Sequence, residues 1–304
     1  MPSSAHLRSC LRINLMLILL QCTTMTAAKD LSDARGSTST VYYLANAGLM
    51  VSSGNSKVLF DPLFNQSYGQ YTLLPASMKQ ALFRGLTPFD NINAIFVSHS
   101  HGDHFAPEEM LKLLRRHPAI KLYGPTQVMD ALKDVMNAVD KPILKQLNEI
   151  RLEYGDKPVA YTEDELLIEA VRIPHSGWPG SRRGVQNISF RITFNNGAAD
   201  EKVTVLHLGD ADTKDYHFAQ DKEYWAKRTL DIAFPPYWYF SSRNGREVLE
   251  ERLKPTYSIG VHVPSRMPSD PKLRPQDFQS RDLFTVPGET RILKTGQTEN
   301  RTED

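Results

Sequence analysis

The chain has 304 residues with 36 basic and 35 acidic side chains, a formal net charge of +1. That length can bury the core of one large α/β domain, and the near-neutral balance argues against a general nucleic-acid-binding surface. Both cysteines, Cys10 and Cys22, precede Lys29, so a chain beginning there has no disulfide and no thiolate ligand.

Arg8 and Arg12 lead into the apolar stretch Ile13 to Leu20, broken by Asn14, and Thr26-Ala27-Ala28 supplies small residues for cleavage. The run is far shorter than the ~20 apolar residues of a membrane span, so residues 1–28 read as a secretory signal peptide. Its removal takes Arg8 and Arg12 away, turns the net charge to −1 and places the protein outside the cytoplasm, periplasmic or secreted. Leu19-Leu20-Gln21-Cys22 raises lipoprotein anchoring at Cys22, but Gln21 suits that processing poorly and cleavage is preferred.

Leu44 to Phe60 holds two strand-like stretches around the turn signal Ser52-Ser53-Gly54-Asn55, which predicts an opening hairpin. Phe64 to Leu74, with Tyr71, is placed by chain order as a lid. Ile92 and Ala94 to Val97 read as a buried strand. Pro107 with Glu108 and Glu109 starts a helix, proline in the first turn and acids at the positive end of the dipole. Further strands are expected at Ile120 to Tyr123, Ile150 to Leu152, Leu166 to Ile173, Ile188 to Phe194, Val203 to Leu208, Ile232 to Phe234 and Tyr257 to Val263. Helices are expected at Gln127 to Val139 and Glu247 to Leu253. Pro264 to Asp304 reads as a polar tail whose one late strand candidate is Arg291 to Leu293. Hairpins mixed with strand–helix alternation predict two packed mixed sheets flanked by helices.

Between the strand ending at Val97 and the helix at Pro107 lies His99-Ser100-His101-Gly102-Asp103-His104. Three imidazoles and a carboxylate in six residues read as a metal site. In extended backbone, residues two apart point the same way, so His99 and His101 can close on one ion. Asp103 and His104, beyond a glycine that lets the chain turn, point apart and could reach a second ion. A helical zinc site would pair histidines at i and i+4, and no such pair exists here. Asp210 ends an apolar strand, where a buried carboxylate needs a cation or several donors. His207, inside that strand, reads as structural; His117 follows Arg115 and Arg116 at a helix end, where the dipole accounts for it. His217 carries no partner signal.

His99-x-His101-x-Asp103-His104 resembles the signature of the metallo-β-lactamase superfamily. Other positions match that family in order: His175 in Ile173-Pro174-His175-Ser176-Gly177, Asp210 after Gly209, His262 in Ile259-Gly260-Val261-His262-Val263, and Asp61 after Val58-Leu59-Phe60. Tyr43 to Leu49 with Lys57 to Pro62 is most similar to the branch of L-ascorbate-6-phosphate lactonases and N-acyl phosphatidylethanolamine phospholipase D-like enzymes. The resemblance implies a four-layer αβ/βα sandwich of two mixed sheets, with a hydrolase domain over residues 29–290 and a polar tail at 291–304. It implies two divalent ions, zinc first, with manganese or iron as alternatives. His99, His101 and His175 would hold one; Asp103, His104 and His262 the other; Asp210 would bridge them and Asp61 would support the loop.

The implied activity is hydrolysis of an ester, lactone or phosphodiester by a hydroxide shared between the ions, with Asp103 and Asp210 as catalytic residues. A phospholipase D-like activity and a di-iron redox enzyme on the same ligands are the alternatives, and a binding protein without activity is the least favoured. Trp178, Arg182, Arg183, Tyr237 and Trp238 follow ligands closely enough to form an aromatic, basic mouth suited to a small-molecule or lipid-like substrate of anionic character. No nucleic-acid partner is expected.

Overall fold

The computed structural model describes residues 39–195 and 202–293. The signal-peptide reading of residues 1–28 and residues 294–304 of the expected tail lie outside these residues; the rest of the stretch from Pro264, expected as a polar tail, is folded and contributes a strand to each sheet.

Among the described residues, fourteen strands form two seven-stranded sheets. The first contains β1 (Ser39–Ala45), β2 (Gly48–Ser53), β3 (Ser56–Phe60), β4 (Ala94–Phe96), β5 (Lys121–Pro125), β6 (Leu147–Ile150) and, at its far edge, a strand from the end of the chain. The second contains β7 (Val159–Glu163), β8 (Leu166–Arg172), β9 (Ile188–Phe194), β10 (Val203–His207), β11 (Ile232–Phe234), β12 (Tyr257–Gly260) and β13 (Asp282–Leu283). The late strand of the first sheet is β14 (Thr290–Leu293), and the orders are β14-β1-β2-β3-β4-β5-β6 and β13-β12-β11-β10-β9-β8-β7. Each sheet is antiparallel in one half and parallel in the other, the change falling at β3 and at β10.

Strand alternation divides the side chains between layers. Val58 and Phe60 of β3 and Ala94 and Phe96 of β4 face the second sheet, packing with Ile168, Phe190, Ile192 and Phe234. Their neighbours Leu59 and Ile95 face outward onto α1 (Ala76–Arg84), α2 (Pro107–Arg116) and α3 (Thr126–Asp134). On the other side Leu206, Leu208 and Ala233 meet Phe218, Trp225, Tyr239, Phe240 and Phe278 from short helices. Both faces of each sheet are therefore covered, which gives the helix–sheet–sheet–helix sandwich expected.

Several boundaries differ from the sequence reading. The opening is three strands, because Thr40 to Tyr42 pairs with both β2 and β14. The helix expected over Gln127 to Val139 stops at Asp134, and a tight 3-10 helix, Ala138–Gln146, follows; Asn137 caps it and Pro142 lies within it. β7 carried no strong pattern because it is an edge strand with Ala160, Tyr161 and Thr162 exposed. The helix at Glu247 to Leu253 begins earlier, at Arg243, and widens to a π-helix over Val248–Leu253. The domain boundary at 290/291 cuts β14, whose pairing with β1 carries the first sheet to Leu293.

Candidate metal centre

The ligand candidates converge at the ends of strands. Asp61 follows β3, His99 lies three residues beyond β4, Asp210 follows β10 and His262 follows β12, all at carboxyl ends in the parallel halves of the sheets. This is where open α/β sheets leave a crevice. His175 arrives from β8 and forms an isolated antiparallel bridge with Ala211; the Ser176 N–H donates to the Asp210 carbonyl at 2.7 Å and the Asp212 N–H to the Pro174 carbonyl at 2.7 Å. The His175 and Asp210 loops are thus laced together.

The geometry of Asp210 is the centre of the site. Its Oδ2 lies 3.3 Å from His175 Nε2 and 4.0 Å from His99 Nε2, while Oδ1 lies 3.2 Å from His104 Nε2 and 3.4 Å from His262 Nε2. One oxygen faces each histidine set. Asp103 Oδ2 is 3.1 Å from His262 Nε2 and 3.8 Å from His104 Nε2. Among the described residues, three donor triads converge closely enough to hold an ion: His99, His101 and His175; His99, His104 and Asp210; and Asp103, His104 and His262.

Hydrogen bonds around the imidazoles set which nitrogen is free. Ser98 Oγ donates to Asp61 Oδ2 at 2.7 Å and so accepts from His99 Nδ1 at 3.0 Å; His175 Nδ1 donates to the Ser176 carbonyl at 2.7 Å. Each leaves its Nε2 lone pair turned inward. His104 Nε2, His175 Nε2 and Asp210 Oδ1 are buried without a hydrogen-bond partner. Buried polar atoms of this kind are costly unless something completes them. An all-imidazole and carboxylate donor set with inward orphan atoms fits divalent metal ions.

Electrostatics follow from the crowding. Burial holds His99 well below the ordinary histidine range, reinforced by His104. Burial also works to lower His104, but the Asp210 and Asp61 carboxylates outweigh it and raise His104 well above that range. Burial, His175 and Arg182 bring His101 down to about 4. Asp210 and Asp103 are both held low: burial opposes this, but His262 and His104 outweigh it. Both carboxylates are ionised at neutral pH.

Backbone strain gathers at the same place. Asn46, Asp61 and His262 are buried and have φ of 51°, 40° and 57°, in the left-handed region that costs most residues ~1–2 kcal/mol. Asn46 joins the two halves of the site: its carbonyl accepts the His262 N–H at 2.8 Å, and its Nδ2 donates to the Asp103 carbonyl at 2.8 Å. Because His262 turns the chain, β12 ends at Gly260 and does not reach Val263 as expected.

A cavity of about 460 Å³ opens over the ligand candidates, lined also by Tyr68, Gln70, Tyr71, Ser176, Arg182 and Trp238. The Phe64 to Leu74 segment expected as a lid supplies Tyr68, Gln70 and Tyr71; it is pinned by the Ser265 N–H to the Gln70 carbonyl at 2.7 Å and by the Asn65 and Gln66 N–H groups to the Gly102 carbonyl. Of the expected mouth residues, Arg182 and Trp238 line the cavity. Trp178 does not: its ring is covered by Tyr154 and His217, at 5.3 and 5.1 Å between centroids. Tyr237 packs against Phe278 in the outer core, and Arg183, exposed like Arg182 in the same turn, is not part of the cavity lining.

His207 stacks on Phe60 and lies 2.9 Å from the Ala47 carbonyl through Nε2, in keeping with a structural role. His117 caps α2, its Nε2 3.1 Å from the Phe83 carbonyl. His217, which had no partner signal, bonds Tyr154 Oη at 2.8 Å and sits 3.6 Å from Asp212 Oδ1. The sequence reading also missed Asn187, fully buried before β9, whose Oδ1 accepts the Asp210 N–H at 2.9 Å while its Nδ2 donates to the Ile173 and Leu208 carbonyls. A single asparagine before an apolar run carries no signal of such a role.

A family model described as the beta-lactamase superfamily domain matches residues 56–236. The chain is 27% identical over 134 residues to an octanoyltransferase of Porphyromonas gingivalis, covering 42% of this chain and 25% of that protein. It is 26% identical over 170 residues to protein Rv0786c of Mycobacterium tuberculosis, covering 56% of this chain and 62% of that protein. The chain therefore spans less than two thirds of each of these curated relatives. In fold it is similar to the metallo hydrolase Igni18 of the archaeon Ignicoccus hospitalis, with a TM-score of 0.54 at 15% identity over 85% of this chain and 100% of that one.

Proposed function

The chain belongs to the beta-lactamase superfamily, and from that membership we propose that it is a hydrolase dependent on two divalent metal ions, cleaving a small ester, lactone or phosphodiester. The observation that carries the reading is Asp210, whose two carboxylate oxygens face two separate histidine sets. His99, His101 and His175 would hold one ion, Asp103, His104 and His262 the other, with Asp210 between them; zinc suits these donors first, with manganese or iron as alternatives. Ions so held polarise the scissile oxygen and acidify water near neutral pH.

This chain's residues supply the rest. Asp103, ionised and facing the cavity, can accept a proton from the attacking water and return it to the leaving oxygen. Asp61, Ser98 and Ser176 hold the histidines in the tautomers that leave Nε2 free. Tyr71 and Trp238 stand edge-on to His262 at 4.2 and 5.3 Å and screen the centre from bulk water. A cavity of about 460 Å³ with three aromatic residues in its lining matches a small molecule better than the paired chains of a phospholipid. The protein is further proposed to act outside the cytoplasm, as its first 28 residues imply, on a small-molecule substrate and not on nucleic acid.

The test is metal analysis of the purified protein combined with a screen of lactone, ester, phosphodiester and phospholipid substrates. Asp210→Ala should lose both bound metal and hydrolysis; retention of both overturns the two-ion reading.

A further inference from the structure

Among the described residues that line the cavity, one side chain is permanently cationic, Arg182. Its Nη1 lies 2.9 Å from His101 Nε2 and 3.1 Å from Nδ1 of the same ring. Near-equal approach to both nitrogens puts the guanidinium over the face of the imidazole, because an in-plane bond to one nitrogen would hold the other well beyond contact. The stem is given room by Gly177, at φ +91°, where an added Cβ would come within 3.2 Å of Arg182 Cγ. The loop thus delivers a guanidinium onto a ligand set.

Arg182 is exposed at the cavity rim, so its guanidinium is open to a partner arriving from solvent. Elsewhere in the described residues Arg115 pairs with Asp140, Arg191 with Glu169, Arg252 with Asp215 and Arg291 with Asp282, each through two hydrogen bonds. Arg182 has no carboxylate partner among the described residues; its contacts are the two His101 nitrogens. Cations bound by the neighbouring ligands would add only like charge beside it. A guanidinium presents its donors in a planar fork that matches an oxyanion. Across the cavity Tyr68 and Gln70 offer neutral polar groups, and Tyr71 and Trp238 offer ring faces and edges.

We propose that Arg182 is the substrate-recognition residue of this cavity and that the substrate is a small ester, lactone or phosphodiester bearing an oxyanion, carboxylate or phosphate, which Arg182 holds while Tyr71 and Trp238 contact the apolar remainder. The inference rests on the hydrolase reading of the same cavity. Arg183, one residue on and absent from the lining, takes no part.

The experiment is calorimetric titration of the purified, metal-analysed protein with inorganic phosphate and with succinate, in wild type, Arg182→Gln, Arg182→Lys and Arg183→Gln. Binding of at least one anion by wild type is expected, weakened 10-fold or more in Arg182→Gln, less in Arg182→Lys and unchanged in Arg183→Gln, with metal content equal in all four. The anion bound more tightly identifies the oxyanion class. A kinetic arm compares phenyl acetate with monophenyl succinate: Arg182→Gln should raise KM for the charged ester at least 10-fold more than for the neutral one. Failure of wild type to bind either anion, or equal binding by wild type and Arg182→Gln, overturns the proposal. A protein without metal that cleaves neither ester overturns the hydrolase reading instead, while the anion titration still decides the role of Arg182.

Discussion

Asp61 Oδ2 accepts a hydrogen bond from His104 Nδ1 at 2.8 Å, while its Oδ1 accepts the Ser98 N–H at 2.7 Å. Both oxygens of this buried carboxylate are committed, and with them the tautomer of His104 and the direction of its Nε2. An asparagine has one acceptor oxygen and turns an NH₂ toward the other donor. Asp61→Asn should therefore weaken metal binding by about 10–100-fold, as loss of a partner behind a ligand does. Competition with a chelating dye measures it, and wild-type affinity would remove Asp61 from the site.

Asn46 contributes by conformation and by hydrogen bonding, and two substitutions separate these. Asn46→Ala loses the bond to the Asp103 carbonyl and puts at positive φ a residue that tolerates that conformation less well than asparagine, together costing about 2–3 kcal/mol of unfolding free energy. Asn46→Gly keeps the conformation accessible and should cost about 1 kcal/mol less. Urea denaturation of both variants checks this; equal losses would show that the left-handed turn does not matter.

Gly209 has φ +56°, and a Cβ there would meet Asn187 Oδ1 at 2.4 Å and Ser98 Cβ at 2.6 Å. Neither neighbour is free to give way, since Asn187 holds the Asp210 N–H and Ser98 bonds Asp61. Gly209→Ala should lower stability by about 3 kcal/mol or more and reduce metal occupancy by shifting Asp210. Thermal melting with metal analysis is the check, and a folded variant with full occupancy would contradict it.

Burial lowers the pKa of His217 to about 4, against the opposing attraction of Asp212. The folded state therefore prefers the neutral ring. Its contribution to stability is complete above the unfolded value near 6.5 and is lost as pH falls from there toward 4. Asn can replace Nδ1 as partner of Tyr154 without titrating. His217→Asn should remove on the order of 2 kcal/mol from the stability lost between pH 7 and pH 4.5. Denaturation curves of both proteins at the two pH values decide it; parallel losses would place the titration elsewhere.

Much of the site could be read from the chain because its signals are local. His99 to His104 is one strand–loop–helix segment, and the apolar runs before Asp61 and Asp210 placed both at strand ends. Residues acting through distant backbone were illegible. Asn187 and Asn46 are single polar residues whose partners lie 23 and 57 positions away, and nothing in their neighbours announces those contacts. Trp178 and Trp238 both stand near ligands in sequence, yet one is covered by Tyr154 and the other lines the cavity.

By itself the sequence determined the chemistry of the donors, the alternation that buries both sheet faces, and the order in which ligands reach the strand ends; these depend on residue type and short-range geometry. Only the tertiary structure decided that Asp210 turns one oxygen to each histidine set, that Arg182 and not Arg183 faces the cavity, and that Asn46 ties Asp103 to His262. Those relations depend on how two sheets and their loops approach one another, and side-chain direction at the end of a strand is set by what packs against it.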